Sequence, residues 1–148
     1  MPPEIRFASS ADAPAIVRLI RELASSSGDT SPITEEDVHT YLQDPACRVL
    51  LACSGLTVTG MVSYTIHYNL FHGGKVCFIE ELIVNWGHRN KGIGSALMER
   101  VLKEARQAGC VEISLSTDKD NHAAQRFYRR QGFDYEAVYM EQHFKEDE

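Results

Sequence analysis

The residues with the most chemical potential fall in one stretch, Glu80-Glu81-Leu82-Ile83-Val84, followed within ten positions by Arg89-Asn90-Lys91-Gly92-Ile93-Gly94-Ser95. Two adjacent carboxylates in an apolar run raise each other's pKa, which suits a general base. Arg89 and Lys91 precede a glycine-opened amphipathic helix. Glycine lets backbone approach a ligand closely, and the first N–H groups of a helix are unpaired donors at its positive end. With the two basic side chains they form a cradle for a diphosphate. The spacing is not the dinucleotide fingerprint, because position 97 is Leu97 rather than a third glycine, and no Gly-Lys-Ser/Thr occurs to make a P-loop. A second cluster follows: Asn121 and Tyr128 are seven apart, two helical turns, on one stripe with Ala124 and Gln125.

These groups need positioning elements. A short strand at Ile5–Phe7 leads to a helix that Ser10 or Asp12 can cap, with Pro14 tolerated in its first turn. Ile16, Ile20, Leu23 and Ala24 recur at helical spacing, and the Ser-rich residues 25–32 form a surface loop. Thr34 with Asp37 predicts a capping box, and Pro45 stops that second helix. Strands are predicted over Arg48–Cys53, Gly60–His67 and Val76–Val84, the last a doubly covered central strand. In a regular strand Glu80 and Glu81 face opposite sides, so at most one points into any one cavity. A helix over about 92–107, a strand over Val111–Ser116, a helix over about 121–130 and two strands over Phe133–Tyr139 and Met140–Phe144 complete the pattern. The class is α+β, with a mixed, mostly antiparallel central sheet of about 6–7 strands flanked by about four helices.

The chain has 148 residues, the size of one domain, and residues 1–148 are read as a single domain. Hydrophobic residues make up 43% and charged residues 24%, which excludes a disordered or fibrous class. Net charge is −6, a balance that disfavours nucleic acid and anionic membrane surfaces and favours cationic ligands. No apolar run nears 18 residues and the start lacks a signal-peptide core, so a cytoplasmic location is expected. Cys47, Cys53, Cys77 and Cys110 have no zinc-like spacing and read as reduced core side chains. His67 and His72 lack a third ligand, so no metal is expected. The acidic end Lys145–Glu148 reads as solvated.

Arg89-x-x-Gly92-x-Gly94 after a Glu-Leu-Ile-Val strand, then Asn121…Phe127-Tyr128…Gly132-Phe133, resembles the GNAT family of N-acetyltransferases. The resemblance is weak before about residue 48 and strong from Ile79 to Phe133. It implies that Arg89, Asn90, Lys91, Gly92, Ile93, Gly94 and Ser95 wrap the pyrophosphate of acetyl-CoA. The backbone of Leu82, Ile83 and Val84 would pair with the pantetheine arm, in a cleft where the sheet splays between the strand ending at Val84 and the one at Val111–Ser116. Asn121 would touch the pantetheine or phosphate region, and Tyr128 would protonate the departing thiolate. Trp86 stands where many relatives carry proline.

The implied reaction is direct attack of a neutral primary amine on the thioester. Glu80 occupies the place of the base in similar amine acetyltransferases, nine residues before Arg89. Glu81 is then an electrostatic partner for the substrate or a solvent-facing residue at a bulge, and a backbone N–H near Ile83 or Val84 serves the oxyanion. Tyr64 and the loop at Tyr68 are candidate linings of the acceptor pocket. Net charge and the paired glutamates favour a small cationic amine, with a peptide or protein amine left open. The alternative is a non-catalytic acyl-CoA-binding sensor or regulatory module, against which the presence of both Glu80 and Tyr128 argues. The resemblance also implies a homodimer, to which the apolar alternation of Tyr135–Phe144 is suited.

Overall fold

The computed structural model describes residues 2–144, so the acidic end lies outside the described residues. Apolar alternation and turn glycines produce five strands: β1 (Glu4–Phe7), β2 (Cys47–Ser54), β3 (Thr57–Asn69), β4 (Gly74–Val84) and β5 (Cys110–Leu115). Four helices accompany them: α1 (Ala13–Ser26), α2 (Glu35–Gln43), α3 (Ile93–Gln107) and, after β5, α4 (His122–Arg130). Residues up to Leu115 make one compact unit, with the whole sheet and α1–α3; residues from Ser116 on make a second, with α4.

The sheet runs in chain order, β1-β2-β3-β4-β5. Its first three pairings are antiparallel and β4–β5 is parallel, as α3 requires by crossing between them. The class is α+β and the sheet mixed and mostly antiparallel, as expected. The strand count is a correction: among the described residues the sheet has five strands, and Phe133–Phe144 forms neither expected strand. Tyr135, Val138, Met140 and Phe144 there are exposed. Alternation makes a strand only where a partner backbone is supplied, and local sequence does not specify one.

Each face of the sheet carries its own apolar layer. Ile16, Leu19 and Val38 of α1 and α2 cluster with Val49, Leu51, Met61 and Ile83. On the other face α3 buries Leu97, Met98 and Val101. The contact there is close at Gly60, where a Cβ would lie 3.0 Å from the Ile83 carbonyl oxygen, 3.2 Å from Ile93 Cγ2 and 3.3 Å from Leu97 Cδ1. Glycine at that position lets the start of α3 settle onto β3 and β4.

The capping box predicted for α2 forms, whereas at α1 Asp12 holds the N-cap position without a side-chain cap hydrogen bond, which corrects the expected Ser10 or Asp12 cap. The Thr34 hydroxyl accepts the Asp37 N–H at 3.2 Å while the Asp37 carboxylate accepts the Thr34 N–H at 2.9 Å. Asp12 accepts the Ser9 N–H at 2.8 Å and takes a two-pronged contact from Arg6, at 2.8 and 2.9 Å, tying β1 to the entrance of α1.

Candidate functional site

One inserted residue sets the geometry of the carboxylates. β3 and β4 pair as Ser63↔Glu81 and then Tyr64↔Ile79, so Glu80 is the extra residue of a β-bulge. The expectation of a regular strand with the two glutamates on opposite faces is therefore corrected. Glu81 shares the face of Ser63, and residue parity from Ile79 puts Glu80 on that face too. Tyr41 of α2 reports both: its hydroxyl is pushed well above its ordinary pKa by burial, by Cys47 and by the charges of Glu81 and Glu80. The carboxyl of Glu80 is raised by desolvation and by Glu81, against a smaller opposite effect of His67.

Around this pair the structure gathers Tyr41, Cys47, Ser63 and His67; sequence reasoning noted Cys47 only as a reduced core cysteine and His67 only as a histidine without metal partners, and missed Tyr41 and Ser63. The Ser63 hydroxyl accepts the Glu81 N–H at 3.0 Å and donates to the Glu81 carboxylate, and the Tyr41 hydroxyl donates to the Tyr64 carbonyl at 3.3 Å. A lone serine inside the apolar run Gly60–Tyr64 was the available signal for Ser63. Tyr64 and Tyr68 do not join this group. Both lie on the α3 face by parity with Gly60. Tyr64 is 1% exposed, with Glu104 and Arg100 of α3 among its charged surroundings. Tyr68 is exposed at the β3–β4 hairpin and donates to the Gly73 carbonyl at 3.0 Å. One strand residue either way decides which face a side chain serves, and both tyrosines fall on the face opposite Glu80 and Glu81.

Beyond the bulge, β4 has an open edge among the described residues. Its register with β5 ends at Ile79↔Leu115, while pairing with β3 continues to Val84↔Gly60. Glu80–Val84 thus run on past the end of β5. The Asn85 N–H donates across to Thr59 at 2.7 Å, so in an extended strand the N–H groups of Val84 and Leu82 point the other way, away from β3. Of the two donors expected for an oxyanion, Val84 has this direction.

The basic loop closes the far end of that edge. Arg89 Nε donates back to the Val84 carbonyl at 3.3 Å, and its guanidinium lies over the Trp86 ring at 4.4 Å from the centroid. Glu22 of α1 accepts the Trp86 N–H at 3.1 Å, fixing the turn from the opposite side. Asn90 and Gly92 both adopt positive φ, 63° and 79°, and Gly92 supplies no side chain to cap α3. An open strand edge leading to a glycine-capped helix start fits an amide-bearing arm that ends in a diphosphate. Lys91, Ile93, Gly94 and Ser95 continue through that helix start.

In the second unit, Asn121 is the N-cap of α4, its side-chain oxygen accepting the Ala124 N–H at 3.1 Å. Tyr128 packs edge-on against Phe127 and Phe133, with ring centroids 5.4 and 6.1 Å away, and burial raises its pKa, so it holds its proton at neutral pH. Among the described residues no group of three or more His, Cys, Asp or Glu could hold a metal ion. Burial and Cys110 push the Cys77 thiol up to about 12, which makes it an inert core group.

Comparison with known proteins gives a consistent result. Residues 15–133 match the acetyltransferase (GNAT) family model. The chain is 33% identical over 142 residues to the aminoalkylphosphonate N-acetyltransferase of Salmonella typhimurium, covering 96% of this chain and 88% of that one. It is 29% identical over 140 residues to the thialysine N-epsilon-acetyltransferase of Bos taurus, covering 86% and 82%. The crystal structure of a transcriptional regulator from Bacillus halodurans superposes with a TM-score of 0.85 at 27% identity, over 96% of this chain and 99% of that one. With a family match across most of its length and N-acetyltransferases among its relatives, the chain belongs to the acetyltransferase (GNAT) family and is an N-acetyltransferase.

Proposed function

We propose that this enzyme transfers the acetyl group of acetyl-CoA to a primary amine of a small molecule by direct attack. The observation that carries the reading is the pair Glu80–Glu81 at a bulge of β4, beside the edge that β5 leaves open. Bound acetyl-CoA supplies the thioester carbonyl that the amine attacks. Leu82, Ile83 and Val84 would hold its arm through their backbone. Arg89, Asn90, Lys91, Gly92, Ile93, Gly94 and Ser95 would hold its diphosphate, and the resemblance assigns Asn121 a contact with the pantetheine or phosphate region. Glu80 accepts the ammonium proton, and its raised pKa brings it toward the amine in proton affinity. The Val84 N–H, which is directed away from β3, would serve as the oxyanion donor. Tyr128 holds the proton required by a departing thiolate.

Both carboxylates and the net charge of −6 support a small cationic acceptor. The two relatives' names supply the first amines to test: thialysine, which suits the cationic reading, and an aminoalkylphosphonate, whose anionic end opposes it. The family match runs through both compact units, which supports reading residues 1–148 as one N-acetyltransferase domain. Among the described residues no helix is long and apolar enough to cross a membrane, in keeping with a cytoplasmic enzyme. A homodimer joined through the exposed run Tyr135–Phe144 belongs to the same reading, and light scattering of the purified chain tests it.

The deciding experiment is calorimetric titration with acetyl-CoA, followed by thiol release with each amine. Saturable one-to-one binding and amine-dependent thiol release are expected. Glu80→Gln should lower kcat by about 10²–10⁴-fold with the acetyl-CoA Kd unchanged. Absence of binding overturns the reading.

A further inference from the structure

We propose that Ser63 is a positioning residue that pins the Glu81 carboxylate against β3 and so leaves proton transfer to Glu80. The inference rests on the acetyl-transfer reading above and divides labour between two glutamates that the sequence leaves equivalent.

Ser63 is 2% exposed, in the middle of an apolar strand. A buried hydroxyl there is costly unless its hydrogen-bonding capacity is used. The other buried polar side chain of β3, Thr59, is satisfied structurally, by donating to the Ala52 carbonyl at 3.2 Å. Ser63 is used differently. Its oxygen accepts the Glu81 N–H at 3.0 Å, which directs its single proton to the Glu81 carboxylate. The two bonds close a small ring that holds both the bulge and the rotamer of Glu81.

Glu80 has the opposite surroundings. It is the extra residue of the bulge, it is exposed, and no hydrogen bond or ion pair engages its carboxylate among the described residues. The titratable groups around it are Tyr41 of α2, Cys47 of β2, His67 of β3 and Glu81 of β4. Glu81 is thus a stationary anion beside a movable carboxylate. A substrate ammonium can be held by the first while it loses its proton to the second.

The test begins with a measurement that needs no substrate. Carboxyl carbon NMR titration of the full-length protein gives the protonation midpoint of Glu80. Glu81→Gln keeps an acceptor for the Ser63 hydroxyl but removes the charge, so the Glu80 midpoint should fall. Ser63→Ala should lower it in part, by releasing Glu81. Adding Ser63→Ala to Glu81→Gln should move it no further, because Ser63 acts through Glu81. An unmoved midpoint in Glu81→Gln, or additive shifts in the double variant, overturns the proposal. Should Ser63→Ala fail to fold, Glu81→Gln still decides.

Kinetics with acetyl-CoA and the accepted amine supply the second arm. Glu81→Gln should raise the amine KM, keep most of kcat, and move the acid limb of kcat/KM to lower pH. If Glu81→Gln abolishes kcat while Glu80→Gln retains it, the roles are reversed and the proposal fails. A protein that binds no acetyl-CoA at all instead overturns the function, whatever the titration shows.

Discussion

Gly60→Val tests whether the seat of α3 on the sheet sets the cofactor cradle. A Cβ at Gly60 would meet a backbone carbonyl at 3.0 Å and two side-chain carbons of α3 at 3.2 and 3.3 Å, all tighter than ordinary contact. Valine adds two further carbons to a site already full, and the carbonyl cannot rotate away. Overpacking of this kind costs about 1–3 kcal/mol, and relief of glycine's unfolded-state entropy returns roughly 0.5–1 kcal/mol. A steric cost near the top of that range leaves a net loss of about 2 kcal/mol, or a Tm lower by about 4–8 °C in a chain of this size. The strain falls on Ile83, in the open segment of β4, and on Ile93, the first residue of α3. Acetyl-CoA affinity should therefore fall together with stability, by roughly tenfold for each 1.4 kcal/mol of lost binding. Thermal unfolding and calorimetric titration read the two effects. Gly87→Ala is the control, because a Cβ there meets only Asn85 Oδ1 at an ordinary 3.5 Å. A Gly60→Val protein with unchanged Tm and unchanged acetyl-CoA affinity would refute the reasoning.

Other perturbations separate further parts of the structure. Gly94→Val, in the first turn of α3, should abolish measurable acetyl-CoA binding while circular dichroism stays native; unchanged affinity would remove the diphosphate assignment. Tyr128→Phe keeps the ring between Phe127 and Phe133, so it should lower kcat by roughly 10²-fold or more with little change in acetyl-CoA Kd. Equal loss in both, or none, would reduce the tyrosine to packing. Arg6 holds the Asp12 carboxyl down at about 2, below the ordinary value of 3.8, chiefly by their side-chain hydrogen bonds. A depressed carboxyl pKa stabilises the fold above the unfolded value and loses that contribution as pH falls through 2. The upper bound is about 2 kcal/mol, and with Arg6 40% exposed, solvent screening reduces it to about 1 kcal/mol. Asp12→Asn should thus lower the urea midpoint at pH 7, with the gap to wild type closing near pH 2.

Much of the local structure was legible because its signals are local. Helix caps, proline stops and amphipathic spacing depend on residues within one turn of each other, and Thr34–Asp37 and the glycine-opened α3 appear where the spacing put them. The proposed phosphate cradle would be local for the same reason, since a strand, a glycine turn and a helix start are consecutive in the chain. Partnership between distant segments was not legible. The alternation over Phe133–Phe144 predicted strands, yet a strand exists only with a second backbone beside it.

Residue types alone determined that a carboxylate pair, a basic glycine-opened helix start and an Asn-capped helix bearing Tyr128 occur in this order in an α+β chain. Tertiary structure decided which face each side chain serves. Side chains along a strand alternate with a period of two, so the single extra residue at Glu80 turns two opposed glutamates into neighbours. The same parity puts Ser63 under Glu81 and sends Tyr64 beneath α3. That inserted residue becomes visible only when β4 is paired against β3, because register is a property of two strands and is written in neither one alone.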